Sequence, residues 1–494
     1  MKQELDIPIQ YTIEKTSIPA RKSTKKFDWW YMFILVIYMG MATPETSRMV
    51  QSLSGNPIPL LLPMVLTYML YVKHRVKFNS PNLKLVVSIF LLWAIMSVIK
   101  WHTYTISEFS YYFFPFYNII IAYVQVKAFG KELIPLYESV IVTFAKISLV
   151  FWMIYILHIP ILDNLATLFP DTNAGNSIFY IYTWGDLSKI PTGKFASNAI
   201  RSAGCSWEAG RFAIMIVLGI FCNICRKGVR FSGNKNLIWL FAALATTLST
   251  TGFVTTIGLY LITLIRKINT KTILTLIALI PVCYGIYSLD FVGNKITTKL
   301  EESQDVSRLI GQFAYNSQNH VEGQYLGSID RFDAAVFEAI NLYEDPLLGY
   351  SNNFDHSFFY REITTNYSLA HGLVKVFSMY GLIFGLIIYY WLFRSSRRIA
   401  EVFPLVSRYA LVVTFMMSAI SYRVFTIPVF TAFWLFGIFY DDYQKKVRGT
   451  SCPQPSKSEG TMSFQECGES VSINSSINSK EGKTDKMSVS INDI

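Results

Sequence analysis

The sequence predicts an all-α fold, a polytopic integral membrane protein with about twelve transmembrane helices and two long extracytoplasmic loops. Three observations predict it: an apolar composition, apolar runs of bilayer length, and basic residues that gather in every second connection. Of the 494 residues, 52% are hydrophobic, 16% aromatic and only 16% charged. A mean hydropathy of +0.34 is too high for an ordinary soluble enzyme, so the expected solvent is largely lipid.

Apolar runs recur near 29–43, 57–72, 83–99, 109–126, 134–157, 207–225, 236–249, 252–265, 272–289, 367–393, 403–420 and 427–440. At about 15 to 25 residues they suit tilted or kinked bilayer helices, and the two short runs around Ser249 carry the weakest signal. Segment 1–26 is polar, carries Arg21, Lys22, Lys25 and Lys26, and lacks a cleavable signal pattern, so the first run is expected to remain as a span. With that segment assigned to the cytoplasm, five basic groups fall inside as well. They are Lys73-His74-Arg75-Val76-Lys77, Lys127 with Lys131, Arg226-Lys227 with Arg230 and Lys235, Arg266-Lys267 with Lys271, and Arg394 with Arg397-Arg398. This is the positive-inside pattern. The formal net charge of +11 therefore reads as topology, and no nucleic-acid partner is expected. The transmembrane domain is placed at 27–445. The remaining 446–494 is polar and low in complexity, which predicts a disordered cytoplasmic tail.

Two outer connections, near 158–206 and 290–366, far exceed the usual loop length. Long loops on a rigid scaffold are where function tends to lie. The first holds Trp184-Gly185-Asp186 and several Gly, Asn and Pro residues, which predicts irregular structure. In the second, Phe332, Val336, Ala339 and Ile340 recur at helical spacing. That predicts an amphipathic helix over 330–342 near the membrane surface, ended by Asp345-Pro346.

This topology brings a set of polar groups to one face: Arg201 with Glu208 and Arg211, the Ser249-Thr250-Thr251-Gly252 turn, Arg331, His371 and Arg423. Arginines at an interfacial cavity suit a diphosphate, because the planar guanidinium binds phosphate oxygens bidentately and stays charged. A histidine beside them can take a proton from a sugar hydroxyl near neutral pH. Neither outer loop holds a paired acidic motif of a metal-nucleotide site, since Asp441-Asp442 falls inside, and Walker and dinucleotide signatures are absent. The one close cysteine pair, Cys222 and Cys225, lacks the second pair that a zinc site needs. Neither a metal nor another cofactor is expected.

In chain order, Arg201-Ser-Ala-Gly204, Trp207-Glu208-Ala-Gly210, the Ser/Thr turn, Arg331, Pro346-Leu-Leu-Gly349, and Ala370-His371 followed by Tyr380-Gly381-Leu-Ile-Phe-Gly385 resemble the bacterial O-antigen polymerase and O-antigen ligase superfamily. The resemblance covers roughly 195–390 in motif and the whole membrane domain in hydropathy. It implies a metal-independent membrane glycosyltransferase of type C-like architecture in the bacterial inner (plasma) membrane, with both termini cytoplasmic. Such an enzyme joins undecaprenyl-pyrophosphate-linked oligosaccharide repeat units into O-antigen or capsular polysaccharide on the outer face. By position, the resemblance implies Arg201 and Arg331 on the donor pyrophosphate and His371 beside the acceptor hydroxyl. Glu208, Arg211, Ser249, Thr251 and Arg423 would surround the substrate. Besides the lipid bilayer, it implies a chain-length regulator and a flippase as partners. The chain departs from the pattern at Gly372, where ligases often have Asn after the histidine, and in its Arg-to-Gly spacings.

Other readings stay open at this level. A ligase that transfers finished polymer to a lipid core would use the same groups. A flippase for lipid-linked oligosaccharide has a similar helix count, although transporters bind near the bilayer midplane and seldom need large external loops. Each arginine can instead snorkel to the headgroups, Arg211 can pair with Glu208 one turn earlier, and His371 can be a structural hydrogen-bonding residue. Lys146, in the middle of an apolar run, calls for a partner or a water-filled cavity. Glu138, two turns away, is a distant candidate for that partner.

Overall fold

The computed structural model describes residues 22–41, 58–102, 106–166, 176–178, 181–184, 200–265, 310–311, 313–315, 327–329, 331–351, 353–363, 367–369 and 372–441. These residues are mostly helical. The helices are α1 (Lys22–Met41), α2 (Ile58–His74), α3 (Pro81–Trp101), α4 (Ile106–Phe129), α5 (Leu133–Ile156) and α6 (Ile161–Ala166) in the first part of the chain. They continue with α7 (Ala209–Lys227), α8 (Lys235–Thr247), α9 (Thr250–Leu264), α10 (Arg331–Glu344), α11 (Lys375–Tyr380), α12 (Leu382–Val402), α13 (Ala410–Ala419) and α14 (Pro428–Trp434). Strands β1 (Asn176–Ile178) and β2 (Tyr182–Trp184) pair antiparallel, and β3 (Gly327–Ile329) and β4 (Tyr367–Leu369) pair in parallel.

Three stretches, Pro81–Trp101, Tyr111–Ile156 and Ala209–Lys227, are long and apolar enough to cross a membrane. The middle one joins α4 to α5 through the tight turn Gly130–Glu132. Local sequence sets where these helices start: at α3, Ser80 accepts the Leu83 N–H at 3.2 Å and Pro81 occupies the first helical position, which removes an orphan donor and pre-sets the backbone. On the exterior, Leu61, Val65, Tyr68 and Val72 of α2 and Leu85, Leu92 and Ile99 of α3 are each more than half exposed. Contiguous apolar faces of this kind are rare against water and are compatible with lipid contact.

At the centre lies α7, buried along its length from Ala209 to Cys225, as befits a helix that is apolar nearly all round. It packs against α5, α8 and α9. Aromatic stacks join the outer helices: Phe33 on Phe144 at 4.5 Å links α1 to α5, and Trp391 on Trp434 at 6.2 Å links α12 to α14.

Glu138 of α5 is fully buried and accepts from three donors. Asn223 Nδ2 gives a hydrogen bond at 2.8 Å, Asn236 Nδ2 one at 2.9 Å, and Arg226 Nη1 an ion pair at 2.7 Å. A buried carboxylate is tolerable when both its oxygens are answered in this way. Glu138 therefore belongs to a junction of α5, α7 and α8 and not to Lys146. That lysine points outward, its Nζ 5.8 Å from the Trp239 ring.

Two elements differ from the expectation. The apolar run 367–393 is not one helix but β4, α11 and α12 in succession. Gly381 breaks it, with φ at 80° and no room for a Cβ, which would overlap the Leu347 carbonyl. Its counterpart Gly349, at φ 60°, faces the Ser378 carbonyl in the same way. Tyr350 N–H to Ser378 O at 2.8 Å and Leu382 N–H to Pro346 O at 2.7 Å then join the two turns backbone to backbone.

The second difference is the buried side of α10. The helix runs from Arg331 to Glu344, just before Asp345-Pro346, but it buries Asp333, Ala334, Phe337, Glu338 and Asn341. Phe332 and Ala339 of the apolar stripe are exposed, and Val336 and Ile340 only flank the small core around Phe337 and Phe359. The cause is polar. Lys375 pairs with the Glu338 carboxylate at 3.3 Å, Ser378 Oγ donates to it, and Asn341 Oδ1 accepts the Phe358 N–H at 2.6 Å. A side sealed by ion pairing is invisible to hydrophobic periodicity.

Candidate functional site

The site is built on the connection between α8 and α9. Helix α8 ends with Leu248 in a left-handed conformation, φ 45°, and Ser249 caps α9 by accepting the Gly252 N–H at 3.3 Å. The last carbonyls of α8 need partners once the helix stops. Residues 201–202 supply them: Ser202 N–H donates to Thr246 O at 2.8 Å and Arg201 Nε to Thr247 O at 2.9 Å. A cation is also favoured at this end by the helix dipole.

From the other long connection, Arg331 opens α10 and reaches the same turn. Its Nη1 donates to Thr251 Oγ1 at 2.8 Å, and Thr251 Oγ1 lies 2.5 Å from Ser421 Oγ. Two guanidinium groups far apart in sequence are thus anchored on Thr247 and Thr251, at either end of one turn. Among the described residues each has a single hydrogen bond to the protein, and a guanidinium has five N–H donors. The first turn of α9, whose dipole favours negative charge, lies beside Arg331.

Glu208 and Arg211 flank this group at the start of α7. Glu208 occupies the N-cap position with extended backbone, and Arg211 is 6% exposed in the first turn. Against them sits Tyr422, whose ring faces the Arg331 guanidinium, with Cζ 5.5 Å from the centroid. Burial, followed by the adjacent Glu208 carboxylate, pushes the Tyr422 phenol well above its usual range, while Arg331 and Arg201 pull against them. At neutral pH the phenol is a neutral hydroxyl.

Arg423 directly follows Tyr422 in the chain. With Gly372, Lys375, Tyr380 and Thr426 it lines a small cavity to which neither Arg201, Arg331 nor Thr251 contributes. Burial pulls its guanidinium down to about 9, still charged at neutral pH. His371 lies outside the described residues. Its described neighbours are Leu369, paired with Ile329 in the β3–β4 ladder, and Gly372, whose N–H donates to Ala419 O at 2.7 Å.

The structure thus brings together Arg201, Arg331, Thr251, Glu208 and Arg211, uses Ser249 as a helix cap, and lines a small cavity with Arg423. Sequence reasoning missed Thr247, Ser421 and Tyr422. Thr247 contributes only a carbonyl, which no side-chain pattern reveals. Ser421 and Tyr422 directly precede Arg423 in a short connection, and that adjacency was the available signal. In comparisons with known proteins the chain matches no protein-family model and no curated protein.

Proposed function

We propose that this chain is a polymerase of lipid-linked oligosaccharides, acting on the outer face of a bacterial inner membrane as a polytopic protein of about twelve spans. The observation that carries the reading is the anchoring of Arg201 and Arg331 on one turn, each with most of its N–H donors uncommitted among the described residues. Such a pair matches the oxygens of a diphosphate, and on the O-antigen polymerase resemblance that diphosphate is the undecaprenyl pyrophosphate of the donor.

In the proposed reaction the acceptor hydroxyl oxygen attacks the anomeric carbon of the donor sugar. The bond from that carbon to the phosphate oxygen breaks, and configuration inverts. The arginines and the α9 N-terminus stabilise the charge that gathers on the departing lipid pyrophosphate. His371, by the resemblance, receives the proton of the attacking hydroxyl.

The test is chain extension by purified protein given lipid-linked repeat units. Arg201→Lys and Arg331→Lys keep the charge but lose the fork, so each is expected to slow polymer formation by about 10- to 100-fold. Polymer yield and length equal to the unsubstituted protein in both variants would remove the assignment. Lipid translocation without new glycosidic bonds would replace it with a transporter.

A further inference from the structure

We propose that Tyr422 is a positioning residue of this site, one whose ring fixes the plane of the Arg331 guanidinium before the diphosphate arrives; the proposal rests on the function proposed above. Residues 421 and 422 hold that guanidinium from two directions. Ser421 Oγ meets the Thr251 hydroxyl that accepts the Arg331 N–H, and the Tyr422 ring lies 5.5 Å from Arg331 Cζ. One contact is a hydrogen bond at a terminal nitrogen of the fork, and the other holds the guanidinium carbon over the ring.

The tyrosine is itself buried and closely packed. A Cβ at Gly210 would overlap the Tyr422 hydroxyl, and a Cβ at Gly372 would overlap the Tyr422 carbonyl oxygen. Two glycines from separate segments, the first turn of α7 and the stretch after β4, therefore clasp the residue at both ends. The Glu208 carboxylate acts electrostatically on the same hydroxyl. A ring held this firmly gives Arg331 a fixed platform, so less side-chain freedom is lost when an anion binds. The role lies in the ring and not in the hydroxyl, and that determines which replacements succeed.

The experiment compares purified full-length Tyr422→Phe, Tyr422→Leu and unsubstituted protein in detergent. Binding of undecaprenyl pyrophosphate and chain extension are read side by side. Tyr422→Phe is expected to bind the lipid like the unsubstituted chain, whereas Tyr422→Leu weakens binding by roughly tenfold. In an Arg331→Lys background there is no planar fork for the ring to orient, so the Tyr422→Leu change should add little. Tyr422→Met replaces the leucine variant should that variant fail to fold. Unchanged binding by the ringless variant, equal losses with Phe and Leu, or full additivity with Arg331→Lys each overturns the proposal. The two readings fail differently. If the unsubstituted chain binds no lipid pyrophosphate, the proposed function falls. If it binds, Arg331→Ala abolishes that binding and Tyr422→Leu leaves it intact, only the role of Tyr422 falls.

Discussion

Gly349 and Gly381 are motif residues whose purpose is packing. Each has a positive φ and places its Cα hydrogen against the carbonyl of the other's turn. Alanine at either position combines a left-handed backbone with a direct overlap, so a loss of about 3 kcal/mol or more is expected. Thermal unfolding followed by monodisperse elution in detergent measures it, and a stable, monodisperse Gly381→Ala protein would contradict the interlock. Residues of this kind were legible as motifs, but their role was not, because sequence spacing carries no φ. Arg201 and Arg331 stood out for a different reason: both stand in long connections that the expected topology puts outside, where the positive-inside rule disfavours basic residues. Tyr422 was marked in the sequence only by its place beside Arg423. Its importance comes from Gly210, Arg331 and Gly372, which meet it only after the chain has folded.

The junction of α5, α7 and α8 turns on one carboxylate. Removing it in Glu138→Ala leaves Arg226, Asn223 and Asn236 without their shared acceptor, at an expected cost of about 3–5 kcal/mol. Glu138→Gln retains one oxygen acceptor and should cost less. Equal melting temperatures for the alanine variant and the unsubstituted protein would show that the junction does not hold the helices. A similar logic governs α10, which is attached to α11 through Glu338 and Lys375. Lys375→Met alone strands the carboxylate. Adding Glu338→Gln should recover part of the loss, with a coupling of about 0.5–3 kcal/mol in a double-mutant cycle; strict additivity would argue against the pair. Hydrophobic period located α10 and its end at Asp345-Pro346 but chose the wrong side, since charged residues paired inside a fold count as exposed in any such pattern.

Composition and apolar runs made the helical character of the molecule readable, because lipid-sized apolar stretches have few other outcomes. The number of spans was harder to read. Helices α9 and α13 are short, and the run 367–393 is broken at Gly381, so apolar length and helix length diverge. The proposed sidedness has a direct check at Tyr343, 87% exposed on α10. Tyr343→Cys is expected to react with a membrane-impermeant maleimide in intact cells, and labelling only after permeabilisation would place α10 inside and dismantle the proposed catalytic centre. One small feature bears on how such a molecule can change over time. Because β3 and β4 pair in parallel, the connection between them leaves one end of the ladder and re-enters at the other. An insertion or deletion that spares this crossover, the Gly349–Gly381 approach and the Glu338–Lys375 pair leaves Arg331 in register, whereas one that shifts any of the three displaces it.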